Sequence, residues 1–516
     1  MASTDTKLQR LRQVITENLR VQRDGETIDY INVGTALNDA CAKQNHAIFA
    51  RRGCGKTLLL HHSSRMLDES IKSIYLNCED FKRHSFPNVL IEILTSLFKE
   101  IESNLHGWFG KKRRSRELVK EIISKLEGLQ KSADTLDEEV RKLSASGSTR
   151  GFEGGLKAGD GTIGGEVKAQ RGTTRREEIE KTFRQHQSKL QELDRWLPDL
   201  KNQLREFFQI STNVKAIYLQ IDDLYHLRRA DQAFVVDYIH RLCKYVPVYF
   251  KIATLRHAST LYVDREGQPI GAQERHDYQP INIDYSFKDF GRTKQQNWEI
   301  LKQFALSAGM SEEELSGLFK GEGFSRLVVA GGGVPRDVLS LFLDILSTVQ
   351  EQGDGRIGKD DVRILSKANF ERRIEELKQD SQDDEQDALM RGIYILREFC
   401  LYKETNIFVV EEKMLQKNDD LRMLFNRLMD YRIIHSCATA LTHKSQPGTY
   451  QAFAIDIGCY AHLRKLEGRF NEVDVSHPQA KEKMRSAPVL EEKQLKTRFD
   501  DSPTDIEEAL LSEPAA

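Results

Sequence analysis

At 516 residues the chain is several times longer than the ~150 residues of one ordinary domain, and 39% hydrophobic content is enough for more than one core. Seventy-seven Lys and Arg offset 79 Asp and Glu, a net charge of -2, which excludes a global electrostatic pull toward nucleic acid or membrane and leaves only local patches to provide one. Seven scattered cysteines, none in CxxC spacing, exclude a disulfide framework and a thiolate zinc ribbon, and no apolar run approaches the ~18–20 residues of a membrane span; with a polar start (MASTDTKLQRLRQ) these features predict a reducing, cytoplasmic setting and no membrane partner.

Residues 6–20 alternate apolar and charged positions as a short amphipathic helix does, and a second helix over 35–43 leads into a buried strand at Ala47-Ile48-Phe49. A strand over 72–77 and a helix over 88–101 follow. Val119, Ile122, Leu126 and Leu129, continued to Leu143, then recur at 3- and 4-residue steps, and the pattern returns from Ile179 to Phe207. Two such seams predict an antiparallel coiled-coil hairpin, with Pro198 kinking the second arm or starting a new helix, and a glycine-rich tip over 147–172. Strands over 214–221, 246–253 and 280–283 complete a β/α alternation, hence an α/β fold with a parallel sheet. Helices fill 294–379. Helices over 388–401 and 420–431, then strands over 433–441 and 450–457, give the outline of a winged helix. Beyond 467 hydrophobics thin out, predicting a disordered acidic tail.

The strongest chemical signal is Ala50-Arg51-Arg52-Gly53-Cys54-Gly55-Lys56-Thr57, between an apolar strand and a helix. It matches the phosphate-loop pattern G-x-x-x-x-G-K-[ST] at every fixed position but the first. Arg52, Gly53, Cys54, Gly55, Lys56 and Thr57 would cradle the phosphates of ATP: the glycines turn backbone N–H groups inward, Lys56 reaches the β- and γ-phosphates, and the Thr57 hydroxyl ligates Mg²⁺. The strand over 214–221 ends in Asp222-Asp223. Asp222 suits a metal-holding carboxylate, and Asp223 the slot that polarises an attacking water. The separation of Thr57 from Asp222 is long, and removing 106–209 reduces it to what one or two β/α units span. Arg256 follows the next strand, where a polar residue would sense the γ-phosphate. Arg336, in Gly331-Gly332-Gly333-Val334-Pro335-Arg336, opens a helix and would reach the phosphates from a lid.

The order of phosphate loop, strand ending in Asp-Asp, Thr254-Leu255-Arg256, helical lid with Gly-Gly-Val-Pro-Arg, and winged helix resembles the AAA+ ATPases. Within these it is most similar to the origin-recognition-complex-like initiators and the signal-transduction NTPases with numerous domains. The resemblance implies an N-terminal helix (1–25), a P-loop NTPase core (26–105 and 210–290) interrupted by the hairpin (106–209), a helical lid (291–385), a winged helix (386–466) and the tail (467–516). It implies a slow Mg-dependent ATPase: Ala50 stands where the family has glycine, and Asp223 where it has glutamate. It further implies nucleotide-dependent self-assembly, with Arg265 or Arg275 acting on a neighbouring copy.

Two partner classes fit. A winged helix contacts double-stranded DNA in the initiators, and the candidate recognition segment 421–432 holds three arginines, though Asp419, Asp420 and Asp430 dilute its field. Alternatively, the chain is a signalling or defence scaffold that recruits a protein through the coiled coil. The run Lys111–Arg116 reads as a solvated start to that hairpin, and His61-His62 as helix-surface residues.

Overall fold

The computed structural model describes residues 4–19, 29–31, 34–81, 84, 86–105, 111–131, 187–265, 267–352, 355–381, 383–461, 463, 470–495 and 506–511. The chain divides into two units. One comprises residues 35–49 and 59–281; the other comprises 1–34, 50–58 and 282–516.

The first unit is organised by a five-stranded sheet. Its strands are β1 (His46–Phe49), β2 (Ile71–Asn77), β3 (Ala216–Asp222), β4 (Val248–Thr254) and β7 (Gln279–Asn282), in the order β2-β3-β4-β1-β7. The β2–β3, β3–β4 and β4–β1 pairs are parallel. Every residue of β1 and β3 is buried, which is why both read as mainly apolar runs and not as alternating ones, with His46, Gln220 and the terminal Asp222 as polar exceptions. The register sets Asn77 beside Asp222 and Phe49 beside Thr254, so the carboxyl ends of all four strands share one edge. That edge is where open α/β sheets gather their chemistry. A small antiparallel hairpin, β5 (Tyr262–Arg265) with β6 (Gln268–Gly271), was not foreseen from the sequence.

Four helices cover this sheet's core: α4 (Asn88–Ser103), α5 (Lys111–Lys131), α6 (Gln187–Ile210) and α7 (Arg229–Cys243). The described seam residues sit in α5 and α6, but they do not close on each other alone. Leu126, Leu193, Leu204 and Phe207 are fully buried in one apolar cluster with Leu97 of α4 and Ile239 of α7. Polar contacts repeat the pattern: the Tyr238 hydroxyl donates to the Leu193 carbonyl at 2.6 Å, Lys189 to Asn88 at 3.1 Å, and Lys99 pairs with Glu127 at 2.9 Å. The heptad spacing was legible, yet α4 and α7 are amphipathic too, and their apolar faces need the same cover. These parts of α5 and α6 therefore belong to the sheet's core instead of forming a self-contained hairpin. Helix α6 continues through Pro198. The glycine-rich segment 147–172 lies outside the described residues.

In the second unit, α1 (Thr4–Asn18) buries Leu8, Leu11 and Ile15 in a cluster shared with Leu301 and Phe304 of α8 (Phe290–Ser307). Helices α9 (Glu312–Gly317), α10 (Gly323–Ala330), α11 (Pro335–Gln352) and α12 (Lys359–Asp380) follow. A C-terminal module comes next: α13 (Asp383–Tyr402), β8 (Ile407–Glu411), α14 (Glu412–Lys417), α15 (Asp419–Asp430), β9 (Ile434–Thr442) and β10 (Thr449–Ile455), its sheet ordered β8-β10-β9. Residues 470–495 and 506–511, the described part of the chain beyond 467, depart from the disordered tail expected there. Val473, Met484, Ala487 and Leu490 are buried, and the chain lies along β8, where Val409 donates to the Pro488 carbonyl and Leu490 to the Val409 carbonyl, both at 2.9 Å. Its hydrophobics are few, but among the described residues nearly all are spent on contact, which average composition does not register.

Because α6 shares the sheet's core, Leu193→Ala is expected to cost about 2–5 kcal/mol of stability, the range for a leucine cavity in a packed interior. Denaturant unfolding of the full chain followed by tryptophan fluorescence would measure it; a cost near zero would mean that α5 and α6 are separable from the core.

Candidate functional site

The loop after β1 belongs to the unit that carries α8–α15. Gly53 and Gly55 hold φ of 82° and 89°, left-handed values that side-chain-bearing residues resist. Ala50 takes no such conformation, so alanine is accommodated where the phosphate-loop pattern has its first glycine. Lys56 opens α3 (Lys56–Arg65), is 5% exposed, and donates its ammonium to the Ala50 carbonyl at 3.2 Å, folding across the loop. Thr57 follows on the same first turn. Cys54 is buried within the loop, and burial pushes its thiol up, so it packs as a small apolar residue.

The segment that opens α11 touches this loop directly. Arg336, on the first turn of α11, donates its backbone N–H to the Gly53 carbonyl at 3.3 Å. A Cβ placed on Gly53 would come within 2.8 Å of the Arg336 Cβ and 2.9 Å of the Val334 side chain. Gly53 is thus required twice, by its φ and by its neighbours, and the Arg336 side chain is exposed beside the loop. Tyr30 stands on another side, 3.9 Å from where a Gly55 Cβ would be, with its hydroxyl pushed up by burial.

Behind the loop lies a buried ionic network that no sequence motif announced. Arg51 grips Asp284 with Nε at 2.7 Å, Nη2 at 2.8 Å and its backbone N–H at 3.1 Å. Burial alone would raise the Asp284 carboxyl, but the Arg51 charge and hydrogen bonds hold it below the usual range. Arg432, from the turn after α15, is 2% exposed and donates to the Arg52 carbonyl at 3.4 Å and to Asp337 at 3.2 Å, and it also pairs with Glu376. Arg373 of α12 bridges Asp337 at 3.1 Å and Asp456, and donates to the carbonyls of Ala330 and Arg432. His435 stacks on Phe287, ring centroids 4.5 Å apart, with Nε2 3.3 Å from Asp456. Burial lowers its pKa to about 4, so the imidazole is neutral at physiological pH.

The remaining sequence-derived candidates lie in the sheet unit. Asp222 ends β3, fully buried; its Oδ2 accepts from the Tyr75 hydroxyl at 2.8 Å and its Oδ1 from the Asp223 N–H at 2.9 Å. Asp223 holds φ 51°, ψ 44°, a left-handed conformation that a non-glycine residue keeps only when its surroundings impose it. Arg256, past the end of β4, pairs with Glu274 at 3.1 Å and lies 4.4 Å over the Phe49 ring. The structure therefore joins Arg52–Thr57 with Arg336 in one unit, and Asp222, Asp223 and Arg256 in the other. Arg51, Asp284, Arg373, Arg432, Tyr30 and Tyr75 were missed. Their partners are distant in sequence and no short spacing marks them.

No family model matches the sequence, and no curated protein matches it. Among solved structures it is similar to the Aeropyrum pernix ORC1 protein in complex with DNA (12% identity, 91% of this chain and 94% of that chain, TM-score 0.30). It is also similar to a Walker-type ATPase of Pyrococcus abyssi (12% identity, 86% and 99%, TM-score 0.39) and to Drosophila ORC bound to DNA (13% identity, 89% and 93%, TM-score 0.32).

The buried imidazole makes a pH prediction. Unfolded, His435 takes up a proton near pH 6.5; folded, it stays neutral down to about 4. Its contribution is therefore complete above pH 6.5 and is lost as pH falls toward 4, by roughly 2–3 kcal/mol at pH 4.5. His46, whose pKa burial also lowers, to about 3, acts in the same direction, so the comparison needs a variant. The stability gap between wild type and His435→Gln, measured by urea unfolding at pH 7.5 and 4.5, is expected to shrink at the lower pH by that amount. A pH-independent gap would refute the neutral buried imidazole.

Proposed function

We propose that the chain is an ATP-binding, slowly ATP-hydrolysing AAA+ switch. The observation that carries this reading is the glycine loop itself: two left-handed glycines, a lysine folded over them at the start of a helix, and a lid arginine whose backbone is bonded to Gly53. A loop of this shape offers consecutive N–H groups and a helix N-terminus to a phosphate chain. In the proposed mechanism Arg52–Thr57 wrap the β- and γ-phosphates, and Lys56 neutralises their charge. The Thr57 hydroxyl and the Asp222 carboxylate are the oxygen donors that would hold Mg²⁺, an ion that would supply charge neutralisation for the phosphates. Asp222 suits that task as a buried carboxylate whose plane is fixed by two donors. Asp223 orients and polarises the attacking water; its strained backbone supports a functional role, and its arm, one methylene shorter than glutamate's, accounts for a slow rate. Arg336 contributes from the lid. Arg256, already paired with Glu274, reads the γ-phosphate only if that pair rearranges.

The C-terminal module has the element order of a winged helix, and its charges favour a protein-directed switch over a reader of duplex DNA. Arg422 pairs with Asp419 at 2.9 Å, Arg427 with Glu385, and Arg432 is buried. At the hairpin tip Lys444 pairs with Glu482 at 2.8 Å. Cations already engaged within the chain have less to offer phosphates. ATPase turnover with and without duplex DNA across a salt series tests this: no salt-sensitive stimulation is expected, and a steep one would restore the DNA-binding reading.

Lys56→Ala is expected to abolish Mg-ATP binding or turnover, read by titration with a fluorescent ATP analogue and by phosphate release; a folded variant with wild-type behaviour would remove the phosphate-loop assignment. Asp223→Asn is expected to keep Mg-ATP affinity and lower turnover by about 10²-fold or more, as loss of a general base does. Asp222→Asn is expected to weaken the Mg-dependent part of the affinity. Identical behaviour of these two variants would contradict their separate roles.

A further inference from the structure

Tyr75 is on β2, which neither the sequence motifs nor the proposed mechanism uses. In the parallel β2–β3 ladder it pairs with Gln220, and Asn77 pairs with Asp222. Tyr75 therefore stands two positions before the partner of Asp222, on the same face of the sheet, in the diagonal relation that an aromatic side chain can span. Its hydroxyl covers that span and donates to Asp222 Oδ2 at 2.8 Å. The ring is itself constrained, stacked on His61 of α3 with centroids 4.5 Å apart and planes inclined at 34°. With the Asp223 N–H on Oδ1, each carboxylate oxygen accepts a donor from a different element: one from the neighbouring strand, one from the chain's next residue. Two donors on two oxygens fix both the rotation and the tilt of a carboxylate, where one would leave it free to pivot.

From this geometry we propose that Tyr75 is a positioning residue for the metal-holding carboxylate: it orients Asp222 for Mg²⁺ without touching nucleotide or metal. The proposal rests on the reading of Asp222 given above. Residues that orient a metal-binding group from behind commonly change metal affinity by about 10-fold or more when removed, while leaving the fold intact. A phenol packed only for stability would show no such selectivity, because its loss would lower stability at every Mg²⁺ concentration alike.

The test compares full-length wild type, Tyr75→Phe, Asp222→Asn and the double variant. The readouts are the Mg²⁺ concentration giving half-maximal binding of a fluorescent ATP analogue, the affinity for that analogue in EDTA, and the melting temperature without ligand. Phenylalanine keeps the ring and its stack on His61. Tyr75→Phe is expected to raise the Mg²⁺ half-saturation about 10-fold with the EDTA affinity unchanged. In the Asp222→Asn background the same change is expected to have less than about a 2-fold effect, since a residue acting through Asp222 has nothing left to orient. If Asp222→Asn weakens Mg²⁺ dependence but Tyr75→Phe does not, the positioning role is overturned and the reading of Asp222 stands. If Tyr75→Phe has the same effect in both backgrounds, Tyr75 does not act through Asp222 and the proposal is overturned. If Asp222→Asn leaves Mg²⁺ dependence unchanged, it is the underlying reading of Asp222 that fails.

Discussion

The arginines buried behind the glycine loop are the constraint on which the unit carrying that loop depends. Arg51, Arg373 and Arg432 would each be prohibitively costly to bury alone, and each is held by carboxylates from other elements: Asp284 before α8, Asp337 on α11, Glu376 on α12 and Asp456 after β10. Breaking such a pair by removing one partner typically costs about 3–5 kcal/mol, because the charge left behind has no water to turn to. Apolar packing could hold these helices together in several registers. The ionic network accepts only the arrangement in which every charge finds its partner. It also reaches the loop backbone, since Arg432 donates to the carbonyl of Arg52.

That connection gives the switch reading a physical basis. Residues 50–58 group with α8–α15 and not with the sheet whose strand β1 feeds them. Arg336 is bonded to Gly53, the next residue, Asp337, is shared by Arg373 and Arg432, and Arg432 belongs to the C-terminal module. In the proposed switch, a displacement of the loop by phosphates would act on α11 and the C-terminal module through these few contacts. Interfaces of buried charge rearrange between discrete states more readily than they deform, which suits a device meant to distinguish two nucleotide states.

How much of this was legible in the sequence follows from how far apart the interacting residues lie. The glycine loop is local, because its left-handed glycines and the helix start at Lys56 lie within a few consecutive residues, and their spacing was visible in the sequence. Asp222 and Asp223 were legible because a strand buried on both faces reads as an apolar run that must end somewhere, and its end is a sheet edge. Tyr75 was not, since its role exists only through the β2–β3 register, which the sequence does not state. Arg51 shows the limit most clearly: it occupies a variable position of the motif, and its partner Asp284 lies 233 residues away. The helical seams misled for a related reason. Periodicity shows that α5 and α6 each have an apolar face, but not which other faces they meet, and α4 and α7 supply apolar faces of their own.

The near-neutral overall charge leaves only local patches to attract a partner, and the structure shows how some of that local charge is disposed. A net charge of -2 from so many ions means either dispersed solvated charge or charge consumed in pairs. At three cations of the C-terminal module it is the second. Arg422, Arg427 and Lys444 have carboxylate partners, and Glu482, from the segment expected to be disordered, is one of them. Glu482 also pairs with Arg485, so the chain beyond β10 brings its own acid and base to the hairpin tip. Exposed pairs of this kind contribute little to stability, about 0–1 kcal/mol each. Their larger effect would be on recognition: a phosphate backbone would have to displace a carboxylate at each of these three positions.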